Sequence, residues 1–406
     1  MKKDFMFTSE SVTEGHPDKL CDQISDAIVD HLLMQDPCTR VRAECAVSSA
    51  IVFIAAQFFT SAKVDLPHVA RKVIKKIGYE HQDFNSKTCS ILTAPQGFPS
   101  DKKYQFDEYK LTDKQIDKIP VRNQVTVFGF ACAQTPTMIP LPIWLARKLS
   151  RRLSDARNEG VLPYLMPDGK VQVGVEYKKR KPYRLHSVTI SASQGKAGKP
   201  SLKTLHKDIL KAVIEPVFNS ERIKPDKRTR IFVNPDGPII IGGPSHHSGL
   251  TGRKSAVDTY GEYSRHSGDA LSGKDPLRID RVGAYAARYA AKNVVAAGLA
   301  KECEVTLSYS IGLARPVSLL VQALGTENLD DNRLTEIVRE LFDFRLAAIV
   351  RQFNMRHLPA LHPEGFYEKL AAYGHMGRTD MDLPWEKTDR VKALQEAAGR
   401  EGILEG

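Results

Sequence analysis

The apolar positions near the N-terminus predict a helix. They recur at three- and four-residue steps and are Leu20, Ile24, Ala27, Ile28 and Leu32. This spacing gives one apolar face to a helix that begins near residue 18. The polar residues 8–11 predict a short loop in front of it.

The rest of the chain alternates between predicted strands and helices. Residues 45–59 are almost wholly apolar, which predicts a buried strand or hairpin arm. Residues 96–118 are polar and predict a loop, which would act as a mobile lid over a site. Asp280 is the predicted cap of an alanine-rich helix that ends at Gly298. Helices are predicted over 69–77, 140–155, 202–217, 280–297 and 333–341, and strands over 123–132, 171–177, 186–192, 230–233, 239–241, 304–311 and 317–324.

This pattern of strands with covering helices recurs about three times and fits an α+β architecture. A chain of 406 residues is long enough for two or three domains, each with its own core. No apolar run is long enough to span a membrane, and no signal peptide is apparent, so we expect a cytoplasmic protein without a membrane partner. The six cysteines are scattered without a C-x-x-C pair, which indicates buried free thiols.

The net charge raises the question of a polyanionic partner. It is +11, from 59 Lys and Arg against 48 Asp and Glu. Apart from residues 147–157 and 178–181, the basic residues are dispersed, and no motif of stacking aromatics lies among them. We therefore expect no nucleic-acid partner. Most of the dispersed cations are expected on the solvated surface.

The sequence His16-Pro17-Asp18 is the first candidate for chemistry. Proline fits the first turn of a helix, so His16 and Asp18 are expected at a loop–helix junction. Backbone N–H groups and the helix dipole favour an anion at such a junction. Asp18 could hold a divalent cation beside that anion. The alternative is a plain capped helix with a solvated histidine.

Residues 268–274 form a second candidate, because they satisfy the phosphate-loop pattern G-x-x-x-x-G-K. Asp275 stands where such a loop needs Ser or Thr for Mg²⁺, and no clear strand precedes the motif. Taken alone, the pattern is weak evidence for a phosphate site.

The stretch TSESVTEGHPDKLCDQISDAIVD resembles the N-terminal signature of the S-adenosylmethionine synthetases (methionine adenosyltransferases). The resemblance continues through IIGGP, GLTGRK, VDTYG, SGKDP, AAYGH and PWEKTD to the end of the chain. It implies three similar, intertwined domains, with mixed sheets covered by helices on one face, paired as a homodimer with active sites at the subunit interface. Whether two dimers form a tetramer is left open. The expected segments are 1–101, a mobile loop 102–119, 120–236, and 237–406 with a C-terminal tail.

The resemblance also implies roles for individual residues in a reaction that uses ATP, Mg²⁺ and K⁺. It assigns catalysis to His16, Lys170, Arg253 and Lys274. It assigns contacts with ATP or its triphosphate to Asp168, Lys254, Ser272, Gly273 and Arg278, of which Arg278 stands where the family has a lysine. Asp18 and Asp280 are the implied Mg²⁺ carboxylates, and Glu44 the implied K⁺ ligand.

The departures from the family's motifs fall mainly in the expected pocket for the acceptor. Gln57, Asn123 and His247 stand where the family has acidic residues, and Gln124, next to Asn123 in sequence, is expected in the same pocket. An ammonium group needs carboxylate or carbonyl partners. Removing one such charge partner typically costs about 2–5 kcal/mol. Pro238 and Ile239 also replace the Arg-Phe pair whose aromatic ring stacks on adenine in the family.

Three functions remain open at this point. The first is a transferase that moves the 5′-deoxyadenosyl group of ATP to a sulfur nucleophile, either methionine or a methionine-like thioether without the free ammonium. The second is a tripolyphosphate or nucleoside triphosphate hydrolase. The third is a non-catalytic partner of a true synthetase, which predicts loss of His16 or Lys274, and both are present. A metal site at His246 and His247 is disfavoured, because adjacent histidines do not easily share one ion.

Overall fold

Fourteen strands lie in the part of the chain that the computed structural model describes, which is residues 4–99, 104–196, 198–326 and 329–399. They are β1 (Phe5–Val12), β2 (Arg40–Ser48), β3 (Ile51–Phe59), β4 (Glu80–His81), β5 (Phe84–Asn85), β6 (Ser90–Gly97), β7 (Val125–Cys132), β8 (Leu165–Lys178), β9 (Lys181–Gln194), β10 (Arg230–Val233), β11 (Ile239–Ile240), β12 (Gly249–Leu250), β13 (Glu302–Tyr309) and β14 (Ser318–Gln322).

The helices of the same residues include three long ones, α1, α4 and α8. In chain order they are α1 (Pro17–Gln35), α2 (Leu66–Ile77), α3 (Asp113–Ile116), α4 (Leu141–Asn158), α5 (Leu202–Ile209), α6 (Glu215–Asn219), α7 (Ser255–Asp258), α8 (Ile279–Ala296), α9 (Asp331–Leu341), α10 (Leu346–Gln352), α11 (Leu358–Leu361), α12 (Tyr367–Leu370) and α13 (Val391–Ala397). A π-helical turn, Leu210–Ile214, joins α5 to α6, and short 3₁₀ helices occupy Gly243–Ser245 and Pro384–Glu386.

Three main sheets are assembled from strands that lie far apart in the chain. The first has the order β1-β8-β9-β10, with β11 also paired to β9. The second has the order β12-β2-β3-β6, and the third β14-β13-β7. The expected α+β architecture with intertwined units is confirmed. The segment boundaries at 101, 119 and 236 stay predictions, because β1 and β7 pair with strands outside their own segments.

Each sheet carries one long helix on its buried face: α4 packs on β8 and β1, α1 on β2, and α8 on β7. The apolar side chains below α1 and α8 form one continuous core, and those below α4 form a second. The third sheet approaches its helix closely at Gly129, where an added Cβ would lie 2.0 Å from the carbonyl carbon of Ala287. Only glycine allows that separation.

Strand β1 replaces the loop predicted at residues 8–11, so that prediction is wrong. The strand pairs with β8 in antiparallel register from Phe5 opposite Tyr177 to Val12 opposite Lys170. Polar residues are tolerated in it because they find partners, as the hydroxyl of Ser11 does with that of Ser150 at 2.9 Å. Its partner strand lies more than 150 residues away, where no local pattern points to it.

The segment 45–59 is a hairpin of β2 and β3 and is buried on one face only. Ile54 is fully buried, whereas Ile51 and Phe53 are 49% and 42% exposed. Leu92 on the neighbouring β6 and Leu250 on β12 are also exposed. The prediction of a buried strand is therefore wrong for the second face, which is an apolar sheet surface on the protomer.

The predicted lid contains regular structure at both ends. Its first residues belong to β6, and residues 100–103 lie outside the described residues. From Tyr104 onward the segment includes α3, and the side chains of Tyr104 and Ile116 are buried. Glu108 forms a buried ion pair with Arg356 at 3.2 Å. Mobility of the loop 102–119 stays a prediction.

Candidate active site

The start of α1 positions two of the candidate residues. His16 is the N-cap of the helix, and its Nδ1 accepts a hydrogen bond from the N–H of Asp18 at 3.2 Å. Strand β12 crosses directly above this turn at Gly249. A Cβ at this position would lie 2.2 Å from the carbonyl carbon of Pro17, so the crossing requires glycine. The crossing lets the N–H of Leu250 donate to Asp18 Oδ1 at 3.0 Å. The loop–helix junction expected from the sequence is confirmed.

His16 is a neutral hydrogen-bond donor in this setting. Its side chain is buried, and burial, as the largest cause, lowers its pKa to about 3. Since Nδ1 accepts a hydrogen bond, the single ring proton of the neutral imidazole lies on Nε2. Nε2 is buried and has no partner among the described residues. The site therefore holds an unused N–H donor, contrary to the alternative of a solvated histidine.

His16 faces two further ionisable groups, Asp168 and His247. The centroids of the two histidine rings lie 4.8 Å apart, and His247 Nε2 lies 3.0 Å from Asp168 Oδ2. Oδ2 also accepts from the N–H of Gly243 at 2.8 Å. Burial acts to raise the pKa of Asp168, but the contacts with His247, His16 and the Gly243 N–H leave it below its usual value. Asp168 is thus an anion with a buried, unpartnered Oδ1 among the residues that the structure covers.

Three cationic side chains surround this group. Arg253 Nε lies 3.6 Å from Asp18 Oδ1, and about half of its side chain is exposed. Lys254 donates to Glu10 at 3.0 Å, and Lys170 is exposed at the end of β1–β8 pairing. Lys170 and Lys254 are close enough to His16 to help lower its pKa. We call the whole set the histidine half-site: His16, Asp18, Asp168, Lys170, His247, Arg253 and Lys254.

A second set of candidates lies around the start of α8. Lys274 Nζ is 3.5 Å from Asp280 Oδ1, which also accepts a hydrogen bond from the amide of Asn123. Burial lowers the pKa of Lys274. The guanidinium of Arg278 lies over the ring of Phe98, 5.6 Å from its centroid. We call Asn123, Lys274, Arg278 and Asp280 the lysine half-site.

Three other predicted residues lie on the surface of the protomer. Glu44 is bound by Arg42, whose Nε donates to it at 2.9 Å, and Gln57 donates to Gln96 at 2.9 Å. Both lie on the exposed apolar face of the second sheet, in paired strands β2 and β3. Gln124 is exposed next to Asn123.

The two half-sites are separate in one protomer. No hydrogen bond or ion pair joins a member of one to a member of the other within residues 4–99, 104–196, 198–326 and 329–399. The structure thus brings the predicted residues together in two groups.

One prediction around residues 268–280 is wrong, the cap at Asp280, and the phosphate contacts of Ser272 and Gly273 stay a prediction. The N–H of Gly273 donates to Asp26 Oδ1 at 2.8 Å, and Ser272 beside it is buried. A Cβ on Gly273 would lie 2.0 Å from the carbonyl oxygen of Ala43, so this glycine serves close packing against β2. The N-cap of α8 is Arg278 and not Asp280, whose carboxylate faces the lysine half-site.

The sequence reasoning missed a stripe of four aspartates on α1. Asp18, Asp22, Asp26 and Asp30 recur at four-residue steps, and all are buried. Each accepts a backbone N–H from a later part of the chain: Leu250, Gly252, Gly273, and both Tyr367 and Glu368. Arg281 completes the network with an ion pair to Asp26 at 2.6 Å. The spacing alone predicts a solvated polar face, because the aspartates lie opposite the apolar face of α1, and only their distant partners show that they are buried.

The described part of the chain contains no helix that is both long and apolar enough to cross a bilayer.

Comparison with protein-family models gives three matches along the chain. Residues 4–97 match the N-terminal domain of S-adenosylmethionine synthetase, residues 118–239 its central domain, and residues 241–387 its C-terminal domain.

Curated proteins of similar sequence carry a single name. The chain is 47% identical over 410 residues to S-adenosylmethionine synthase of Trichodesmium erythraeum, with 98% of each chain covered. It is 46% identical over 419 residues to that of Gloeothece citriformis, with 100% of each covered. The corresponding protein of Trichormus variabilis is 48% identical over 410 residues, with 98% of each covered.

Proposed function

The chain belongs to the S-adenosylmethionine synthetase family and is an ATP-using transferase, and we propose that it moves the 5′-deoxyadenosyl group of ATP to a sulfur acceptor. A lone pair of the acceptor sulfur forms the S–C5′ bond while the C5′–O5′ bond breaks. The electrons of the broken bond leave on O5′ of tripolyphosphate, which is then hydrolysed. The observation that carries the proposal is the buried, unpartnered Nε2–H of His16 beside three cationic side chains.

These groups suit a reaction that develops negative charge on O5′. The Nε2–H of His16 is placed to donate to that oxygen, and a fixed donor stabilises the transition state without reorganisation. Arg253, Lys254 and Lys170 supply positive charge for the leaving tripolyphosphate. The aspartate stripe holds the backbone at Leu250, so the position of the cations relative to α1 is fixed.

The Mg²⁺ and K⁺ that the family uses would be held by different carboxylates. Asp18 lies beside the cations of the histidine half-site, and within the described residues the contacts of Asp280 fall on Oδ1, which leaves Oδ2 for an ion. Asp18 and Asp280 would hold Mg²⁺, which neutralises phosphate charge when bound. Arg42 binds Oε1 of Glu44 in an exposed ion pair, which leaves Oε2 as the atom that would hold K⁺.

The active unit in this proposal is a homodimer, in which the histidine half-site of one protomer meets the lysine half-site of the other. The exposed apolar surface around Ile51, Phe53, Leu92 and Leu250 supports a sheet-to-sheet interface. In a two-fold dimer, each protomer gives both of its half-sites, one to each active site.

Co-expression of two inactive variants tests the shared site. His16→Asn removes a histidine half-site, and Lys274→Ala removes a lysine half-site. In a mixed dimer one of the two sites then contains only wild-type groups, so random mixing should restore about one quarter of wild-type turnover. The control is a pair of variants in the same half-site, His16→Asn with Arg253→Ala, which should restore none. Failure of the first pair to recover, or full activity at the mass of a monomer in light scattering, would refute the shared site.

We further propose that the acceptor is a methionine-like thioether without the free ammonium. Gln57, Asn123 and His247 offer no carboxylate where the family has acidic residues, and Asp168 is already bound by His247 and Gly243. An ammonium group would therefore be desolvated without a matching anion, which typically costs about 2–5 kcal/mol.

Steady-state kinetics with methionine and 4-(methylthio)butanoate test this choice, with the nucleosidyl products identified by mass spectrometry. The des-amino compound should have the higher specificity constant. Gln57→Glu combined with His247→Asp should shift preference towards methionine, and Gln105→Glu, which adds one negative charge at an exposed residue, should not. A higher specificity constant for methionine would reject the altered acceptor. Phosphate release without any nucleosidyl product would favour the hydrolase instead, and no turnover the non-catalytic partner.

A further inference from the structure

We propose that His16, Asp168 and His247 form a binding site for one divalent transition-metal ion, of which Zn²⁺ and Co²⁺ are suitable probes. Each side chain offers one ligand atom, and these atoms all lie within 4.8 Å of one another. Two imidazoles with one carboxylate are a ligand set that prefers transition metals over Mg²⁺, which favours oxygen ligands. The site thus differs in chemistry from the Mg²⁺ carboxylates Asp18 and Asp280.

Unused polar atoms mark the place that the ion would take. His16 Nε2 and Asp168 Oδ1 are both buried and without a hydrogen-bond partner in the described parts of the chain. A buried polar atom without a partner is unfavourable. Two such atoms on facing side chains, which are only 2% and 7% exposed, indicate that these side chains bind a ligand.

The ligand atoms would have to move from separations of up to 4.8 Å to those of a zinc site. Zinc–nitrogen bonds of about 2.0–2.1 Å place tetrahedral ligand atoms about 3.3 Å apart. His247 Nε2 and Asp168 Oδ2 are already 3.0 Å apart, and His247 can adjust because its side chain is 31% exposed. That exposure also leaves a side of the site open for a fourth ligand.

Residues outside the ligand set can hold the ligands in place. Gly243 N–H fixes Asp168 through Oδ2. Metal binding at His16 Nε2 requires its ring proton to move to Nδ1, and Asp18 Oδ2 lies 3.7 Å from Nδ1, where it can accept that proton in a hydrogen bond. Metal binding at His247 Nε2, which donates to Asp168, likewise requires that ring proton to move to Nδ1 of His247. A carboxylate behind a ligating histidine is common at zinc sites.

This change of tautomer makes metal binding and the proposed catalysis mutually exclusive. The ion would occupy the Nε2 that otherwise donates to O5′, so Zn²⁺ should inhibit turnover in competition with ATP. This consequence rests on the proposed function, whereas metal binding itself does not.

Cobalt titration of the tag-free protein without ATP or Mg²⁺ tests the site directly. The Cys38→Ser background removes the exposed thiol as a competing ligand. We expect one Co²⁺ per protomer with visible d–d absorption, and displacement of the cobalt by Zn²⁺. His247→Gln keeps a side chain that can donate to Asp168 but should weaken cobalt binding at least tenfold. The matched control is His246→Gln, the exposed neighbour, which should bind as tightly as the parent.

Three results would overturn the proposal: no stoichiometric uptake, equal binding by His247→Gln and the parent, or equal loss in His246→Gln. The binding assay contains no substrate, so its failure leaves the proposed transferase reaction untouched. Conversely, cobalt binding in a protein without turnover would support the metal site and count against the transferase alone. Zinc inhibition in His247→Gln as strong as in the parent would refute the competition with ATP.

Discussion

His16 combines two roles that a single substitution can separate. As the N-cap of α1 it accepts the N–H of Asp18 through Nδ1, and as the proposed donor it presents Nε2–H to the site. Asparagine is a good N-cap residue, and its short side chain can reproduce the first role only. We therefore expect His16→Asn to fold like the wild type and to lose turnover, whereas His16→Ala loses both functions.

The expected magnitudes differ enough to be measured. Loss of an N-cap acceptor costs about 0.5–2 kcal/mol of stability. Loss of one preorganised donor to a developing oxyanion lowers turnover about 10²–10³-fold, which corresponds to about 2.7–4 kcal/mol. His16→Asn should thus lie within about 0.5 kcal/mol of the wild type in stability, and His16→Ala about 1 kcal/mol below it.

The assay combines urea unfolding with single-turnover formation of the nucleosidyl product at saturating ATP. Similar losses of turnover are expected for Lys274→Ala and Arg253→Ala. The reasoning fails if His16→Asn retains more than about one tenth of wild-type turnover, since a unique donor cannot be so dispensable. It also fails if His16→Asn is as unstable as His16→Ala, because the histidine would then not act as a cap.

Two further predictions concern the aspartate stripe. Asp26→Asn leaves the buried guanidinium of Arg281 without its anion and should lower the free energy of unfolding by about 3–5 kcal/mol in urea. The double variant Asp26→Leu with Arg281→Met should lose much less, because it removes both charges. Additive losses from the two substitutions would contradict a coupled pair. Burial raises the pKa of Asp30 to about 8. The folded protein therefore keeps a proton on Asp30 that the unfolded chain loses above about pH 4. The free energy of unfolding should fall as the pH rises from about 4 to 8. Asp30→Asn should flatten this fall in urea midpoints measured from pH 5 to 8, and an unchanged slope would disprove the assignment.

Local sequence patterns were sufficient to predict the helices and strands that have a clear apolar period or composition of their own. The helix after Pro17 has a strong apolar period, and α1 occupies Pro17–Gln35 as expected. The strands at 123–132 and 304–311 were found within two residues of their bounds because β-branched and aromatic residues fill them. The placement of His16 and Asp18 at a helix start followed from Pro17 alone.

The features that were missed depend on partners far away in sequence. Strand β1 is polar and forms because β8 pairs with it, and β6, predicted as part of a loop, forms beside β3. The pattern at residues 268–274 also does not show that Asp26 on α1 takes the N–H of Gly273. No local spacing reveals which distant group satisfies a backbone N–H.

The residues that meet in the first sheet and along the aspartate stripe lie far apart in sequence. Their order in the chain therefore sets the order in which the site can form during translation. His16 leaves the ribosome early, but Asp168, His247 and the N–H groups that bind the stripe follow as late as Glu368. At about 5–20 residues per second, α1 waits roughly 20–70 s for the last of these partners. Asp30 has neither of its two backbone N–H partners during that time, so the nascent chain should be a substrate for chaperones until almost all of it has been synthesised.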